Sequence, residues 1–204
     1  MQLKAEKVGY YYKDNEWLFR DFQITVDPGE IIAIQGKSGK GKTTLAQILA
    51  GYQKPMEGSV LLGEQELISS KNRISYTGFY PVQLVWQHPE KAVNPRWKLR
   101  ETLYEAGELD EIIIEQLGIE KQWLERWPNE LSGGELQRIC VARALHKDTK
   151  YLIADEMTSM LDALTQSQIW NVVLDVARDR NIGIIVISHD KHLINKLCNR
   201  IVQL

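Results

Sequence analysis

A chain of 204 residues, 44% of them hydrophobic, has enough material for one domain with a proper core, or one domain carrying a sub-domain, and its composition excludes a disordered polymer. Its 25 Lys+Arg against 27 Asp+Glu leave a formal net charge of -2, so no global field recruits nucleic acid or an anionic membrane surface. Apolar runs such as 184–187 fall far short of the ~20 residues that span a bilayer. Met1-Gln2-Leu3-Lys4 opens no apolar signal segment, so a cytosolic chain is expected unless a partner tethers it. Cys140 and Cys198 have neither metal-ligand nor CxxC spacing and read as small core residues in helical surroundings.

In chain order, residues 3–26 read as short strands joined by a polar turn at 13–16. Pro28-Gly29 turns into Ile31-Ile32-Ala33-Ile34, a continuous apolar run suited to a buried parallel strand. Residues 43–50 have helical spacing, with Leu45, Ile48 and Leu49 on one face and Gly51 as C-cap. Residues 52–80 are mixed, with turn signals at Gly58 and Gly63, a short strand at 60–62 and a polar stretch at 69–72. Between 88 and 130 the sequence becomes charged and helix-forming, including 100–117 and 120–127. From Leu131 a helix (134–146), a strand (151–154), a long helix (163–179) and an apolar strand (182–187) follow. Strands alternating with helices predict a mainly parallel α/β sheet, with antiparallel strands at the N-terminus. The expected organisation is one domain: a core of residues 1–87 and 131–204, and an inserted α-helical sub-domain at 88–130.

Three segments carry chemistry. Gly36-Lys37-Ser38-Gly39-Lys40-Gly41-Lys42-Thr43 matches G-x-x-x-x-G-K-[ST], after a buried strand and before a helix. Glycines let backbone N–H groups point at phosphate oxygens, and the helix N-terminus adds partial positive charge. Lys42 is expected to reach the β- and γ-phosphates and the Thr43 hydroxyl to reach Mg²⁺, whereas Lys37 and Lys40 are loop charges. In Tyr151-Leu152-Ile153-Ala154-Asp155-Glu156, an apolar strand ends in two carboxylates at the sheet edge where ligands of such folds bind. Asp155 suits Mg²⁺; Glu156 suits accepting a proton from an attacking water. Leu131-Ser132-Gly133-Gly134-Glu135-Leu136-Gln137-Arg138 opens a helix with a second anion-binding N-terminus. One nucleotide has no room for two phosphate cradles from the same subunit, so a second subunit is implied.

The octet 131–138 resembles the signature of ABC ATPases, and the other motifs follow that family's order over essentially the whole chain. The resemblance implies a P-loop NTPase (RecA-like) core and a head-to-tail dimer. In it, Gly36, Lys37, Ser38, Gly39, Lys40, Gly41, Lys42, Thr43 and Thr44 of one subunit and Ser132, Gly133 and Gly134 of the other sandwich each ATP. Gln87 looks like the glutamine that contacts Mg²⁺ or the attacking water and links to the permease. His189 looks like the switch histidine, and Ser159-Met160-Leu161-Asp162 resembles the loop that reports across the dimer. For the aromatic residue that stacks on adenine, Tyr10, Tyr11 and Tyr12 all offer a ring, and counting from Val8 favours Tyr12. Met157 and Met160 depart from the proline and alanine usual in the family, without removing a reactive group.

The segment Gln87-His88-Pro89 through Asn94-Pro95-Arg96-Trp97 is similar to the glutamine-loop region of ATPases serving peptide and nickel importers. The implied partners are a second ATPase subunit, identical or not, separate transmembrane permease subunits that hold this chain at the cytoplasmic face of the membrane and, indirectly, an extracytoplasmic solute-binding protein; nucleic acid is not among them. Many relatives carry an extension beyond the point where this chain stops. The competing class is a soluble ABC ATPase acting on ribosomes or DNA; residues 44–131 leave no space for the long coiled coil of DNA-repair relatives. Intact Lys42, Asp155, Glu156 and His189 speak against a non-catalytic regulatory subunit.

Overall fold

Runs of Ile and Val without alternation have no polar face to offer water, so they pair side by side in the interior. Strands β3 (Ile31–Gln35), β6 (Val82–Val85), β7 (Tyr151–Asp155), β8 (Gly183–Ile187) and β9 (Arg200–Gln203) form an all-parallel sheet in the order β6-β7-β8-β3-β9. The computed structural model describes all residues except 13–15, 72–75, 77, 106, 108 and 109. Most of the turn expected at 13–16, and the end of the polar stretch at 69–72, therefore lie outside the described residues. Strands β1 (Leu3–Tyr11), β2 (Trp17–Val26), β4 (Glu57–Leu62) and β5 (Gln65–Ser69) make a second, antiparallel sheet in the order β2-β1-β4-β5. The N-terminal stretch is thus two long strands, bulged where Lys7 and Asp21 take positive φ, rather than several short ones.

The parallel sheet is covered on both faces, and strand alternation assigns the cover. Ile32, Ile34, Ile153, Ile185 and Ile187 pack with α1 (Lys42–Leu49) and the antiparallel sheet. Leu152, Ala154, Ile184 and Val186 pack with α4 (Gly133–Ala144) and α5 (Ala163–Arg180). Asp162 caps α5 by accepting from the N–H groups of Leu164 and Thr165, and Asn181 ends it at φ 54.

Between the parallel strands' two halves lie α2 (Leu99–Tyr104), α3 (Glu111–Gln116) and 3-10 turns at Pro89–Lys91, Lys121–Glu125 and Pro128–Glu130. This corrects two expectations. The helix expected over 100–117 is two short helices. Gly107 stands at φ 109, outside helical space, and the Asp110 carboxylate starts α3 afresh by accepting from the Ile112 N–H. The stretch 120–127 holds only a 3-10 run, Lys121–Glu125, which ends at the extended Arg126; Pro128 keeps the next residue, Trp127, extended as well. A third concerns Cys198: it caps the helix α6 (Lys191–Leu197), half-buried, whereas Cys140 is buried inside α4.

One buried phenol ties the two sheets together. The Tyr151 hydroxyl accepts from the Leu3 N–H at 3.1 Å and lies 2.8 Å from the Val26 carbonyl and 3.0 Å from that of Met1. Its ring occupies the space a side chain at Gly183 would need, and burial pushes its pKa up to about 12. Tyr151→Phe strands these partners in the interior and should cost about 1–3 kcal/mol. At about 2–4 °C per kcal/mol for a chain of this size, thermal melting should drop by several degrees; an unmoved midpoint would show that the phenol holds nothing.

Candidate functional site

Parallel strands present all their C-terminal ends on one edge. In the order β6-β7-β8-β3, those ends are followed by Gln87, Asp155 with Glu156, His189 and the glycine-rich loop. Segments far apart in sequence therefore line up around one cavity of about 500 Å³. Its walls include Tyr12, Leu18, Ser38, Gly39, Gly41, Lys42, Thr43, Thr44, Gln87, Asp155, Glu156 and His189.

The loop owes its shape to glycine. Gly39 and Gly41 stand at φ 79 and 92, and a Cβ on Gly41 would come within 2.6 Å of Leu18 and 2.9 Å of Phe19. Helix α1 begins on Gly41 with no side-chain cap, whereas Asp162 and Asp190 each accept from two first-turn N–H groups of α5 and α6 and Ser132 accepts from the Glu135 N–H alone in α4. Its first N–H groups are thus left to an anion. Lys42 arches back over the loop, its ammonium donating to the carbonyls of Gly36 (2.9 Å) and Lys37 (3.3 Å). Lys37 and Lys40 are exposed and, like Gly36, do not line the cavity.

Asp155 ends β7, buried. Desolvation pushes its carboxyl above the usual range, while a hydrogen bond to Thr43 and the charge of Lys42 pull it back. Glu156 follows at φ 51, a left-handed backbone that a residue with a Cβ adopts at a cost of about 1–2 kcal/mol. Its N–H is held by the Ile187 carbonyl at 2.9 Å. Burial also pushes the Glu156 carboxyl up, and the neighbouring His189 opposes this. Among the described residues, Glu156 Oε1 is buried without a hydrogen-bond partner, 3.9 Å from Nε2 of His189. A buried, unsatisfied carboxylate oxygen on a residue that lines the cavity is set to accept from water or substrate. Asp190 caps α6 through the N–H groups of His192 and Leu193, which fixes the strand end that carries the largely exposed His189.

Gln87 donates to Ser159 Oγ at 3.3 Å, and Ser159 Oγ donates to the Glu156 carbonyl at 3.0 Å. Of the three N-terminal tyrosines, Tyr10 is buried and Tyr11 packs edge-on against Trp17. Tyr12 is 66% exposed, lines the cavity and hydrogen-bonds Thr44 Oγ1 at 2.7 Å. Ser132 caps α4 in a reciprocal box with Glu135, but Ser132, Gly133 and Gly134 do not line this cavity; Ser132 and Gly133 face solvent. Leu18 and the buried Gln137 were given no role by the sequence, and Ser159, expected in the loop that reports across the dimer, was not expected to bridge Gln87 to the Glu156 carbonyl. Gln137 had a signal, a polar side chain on a helix face otherwise filled by Leu136, Ile139 and Cys140.

The profile of the ABC transporter family matches residues 19–159. The chain is 32% identical to the nickel import ATP-binding protein NikE of Rhodospirillum rubrum, over 89% of this chain and 70% of that one. It is 33% identical to the lipoprotein-releasing system ATP-binding protein LolD of Rickettsia bellii, over 96% and 91%. A dimeric bacterial ABC transporter cassette, MJ0796, superposes with a TM-score of 0.83 at 23% identity, over 99% of this chain and 94% of that one, a likeness of fold.

Proposed function

The chain belongs to the ABC transporter family, and we propose that this ATP-hydrolysing subunit works in a head-to-tail dimer that drives a membrane importer. One observation carries the dimer: the Ser132-Gly133-Gly134 helix start opens to solvent, away from the cavity that Lys42, Asp155 and Glu156 share. A second subunit would bring its own copy of that start over the first subunit's nucleotide, identical or different in sequence.

In this reading, the loop from Gly36 to Thr44 cradles the phosphates and Tyr12 stacks on adenine. Lys42 neutralises the β- and γ-phosphates, Glu156 accepts the proton of the attacking water, and Gln87 and His189 orient that water and the γ-phosphate. The buried Asp155 carboxylate, bonded to the Thr43 hydroxyl, fits Mg²⁺, with Gln87 as a third donor. So few protein ligands suit an ion that keeps phosphate and water oxygens. When bound, the ion would neutralise charge developing on the phosphates. Residues 88–130 act as a sub-domain inserted in the core. A groove of about 420 Å³, lined by Tyr52, Ala92, Glu105 and Arg143 among others, would receive a cytoplasmic segment of the permease.

Importer function is supported by Asn94-Pro95-Arg96 after Gln87 and by the nickel-import relatives, which favour nickel, a metal chelate or peptides as cargo. The similarity to LolD favours a second reading, a lipoprotein-releasing system. Asn94 and Arg96 are exposed. Cysteines placed there, in a Cys198→Ser background, should crosslink to permease loops encoded beside the chain, more in one nucleotide state than another. A permease accompanied by a solute-binding protein supports import; crosslinks confined to a lipoprotein-releasing membrane subunit support the second reading. No crosslink, together with sedimentation on ribosomes or DNA, would replace both with a soluble ATPase.

A further inference from the structure

Gln137 lies on the second turn of α4, 2% exposed. Its side-chain NH₂ donates to two backbone carbonyls, Met157 at 2.8 Å and Trp86 at 3.1 Å. The orientation of the amide is dictated, since a flipped group would set its oxygen against two carbonyl oxygens. Its Oε1 is left buried without a hydrogen-bond partner among the described residues. An apolar residue would fill this place without that penalty, so the two donated bonds are what the amide supplies.

The two carbonyls belong to otherwise separate loops. Trp86 directly precedes Gln87 beyond the end of β6; Met157 directly follows Glu156 beyond the end of β7. One side chain therefore holds the backbone beside both proposed hydrolytic residues. It hangs from the same helix whose first turn displays Ser132, Gly133 and Gly134. Both bonds sit inside the narrow window of hydrogen-bond lengths, so a displacement of α4 by about 1 Å must either drag the two loops or break the bonds.

We propose that Gln137 is a positioning residue that carries the position of α4, set by the partner's nucleotide at Ser132–Gly134, to the subunit's own Gln87 and Glu156. This rests on the head-to-tail dimer proposed above. A misplacement of about 1 Å at reacting groups costs about 100-fold in rate, so a single severed tie has a measurable consequence.

The test is Gln137→Met, close in volume and unable to donate. We expect kcat to fall between about 10- and 100-fold, with ATP affinity unchanged within twofold. In a Glu156→Gln background, ATP-driven dimerisation should persist. A merely structural Gln137 would instead lower affinity, dimerisation and kcat together, which overturns the proposal. Turnover within twofold of the parent overturns it too and leaves the dimer intact. If Glu156→Gln alone fails to dimerise with ATP, the dimer reading falls and takes this inference with it. Should Gln137→Met not fold, Gln137→Asn serves in its place: it keeps the amide but withdraws it by one methylene, and the same outcomes apply.

Discussion

Glu156→Gln is expected to abolish ATP turnover while ATP binding survives. The substitution preserves shape at a position where shape is demanding, since the backbone at φ 51 and the N–H bond to the Ile187 carbonyl stay as they are. What is lost is the proton acceptor. Deleting a general base costs about 10²–10⁴-fold in rate. Binding should tighten slightly, because one negative charge is removed beside Asp155 in the cavity proposed to hold the phosphates. Trapped ATP should then hold the dimer together, visible as a shift from monomer to dimer on size exclusion. The pH dependence of the parent follows from the same carboxyl. Burial raises its folded pKa above the ordinary 4.5, and only the deprotonated form is a base. Activity should therefore fall as pH falls through that raised pKa, with an acid limb beginning above 4.5. A variant that hydrolyses ATP at the parental rate would remove Glu156 from the role of base.

Lys42→Ala should act on binding rather than on folding. In the free chain, the ammonium rests on the carbonyls of Gly36 and Lys37 at the mouth of the cavity, groups that water can satisfy when it leaves. Thermal stability should move little. With nucleotide present, the same ammonium meets charged phosphate oxygens, and a hydrogen bond to a charged group contributes about 1.5–3 kcal/mol. ATP affinity should fall about 10- to 100-fold, since each 1.4 kcal/mol is a factor of ten. Titration with a fluorescent ATP analogue measures it directly. Unchanged affinity with unchanged turnover would mean that the segment Gly36–Thr43 does not hold phosphate.

What could be read along the chain and what could not divides on distance in sequence. The glycine-rich loop between β3 and α1 was legible because its requirements are local: positive φ at Gly39 and Gly41 and a lysine next in line. The buried strands β3, β7 and β8 announced themselves as unbroken apolar runs, because a strand covered on both faces has no polar side to alternate with. The short strands β5, β6 and β9 did not. Polar residues interrupt their apolar runs (Gln65 and Glu66 in β5, Gln83 in β6, Arg200 and Gln203 in β9), and β9, at a sheet edge, is largely exposed. The interruption of the helix expected over 100–117 was missed because helix-forming composition outweighed Gly107 and Asp110, which terminate and restart it through backbone geometry and a cap.

Which tyrosine faces the cavity was decided by how the end of β1 packs: Tyr10 turns into the core, Tyr11 meets Trp17, and Tyr12 alone of the three reaches Thr44. The chain by itself determined the candidate reactive groups, since Lys42, Asp155, Glu156 and His189 stand in short segments whose proposed chemistry is contained in a few consecutive residues. Only the tertiary structure decided their company. The strand order β6-β7-β8-β3 sets Gln87 by Ser159 and Glu156 by His189, and it sends the Gln137 amide to the loops beyond β6 and β7. Hydrogen bonds between residues 20 to 72 positions apart are made by sheet topology, which no local pattern encodes.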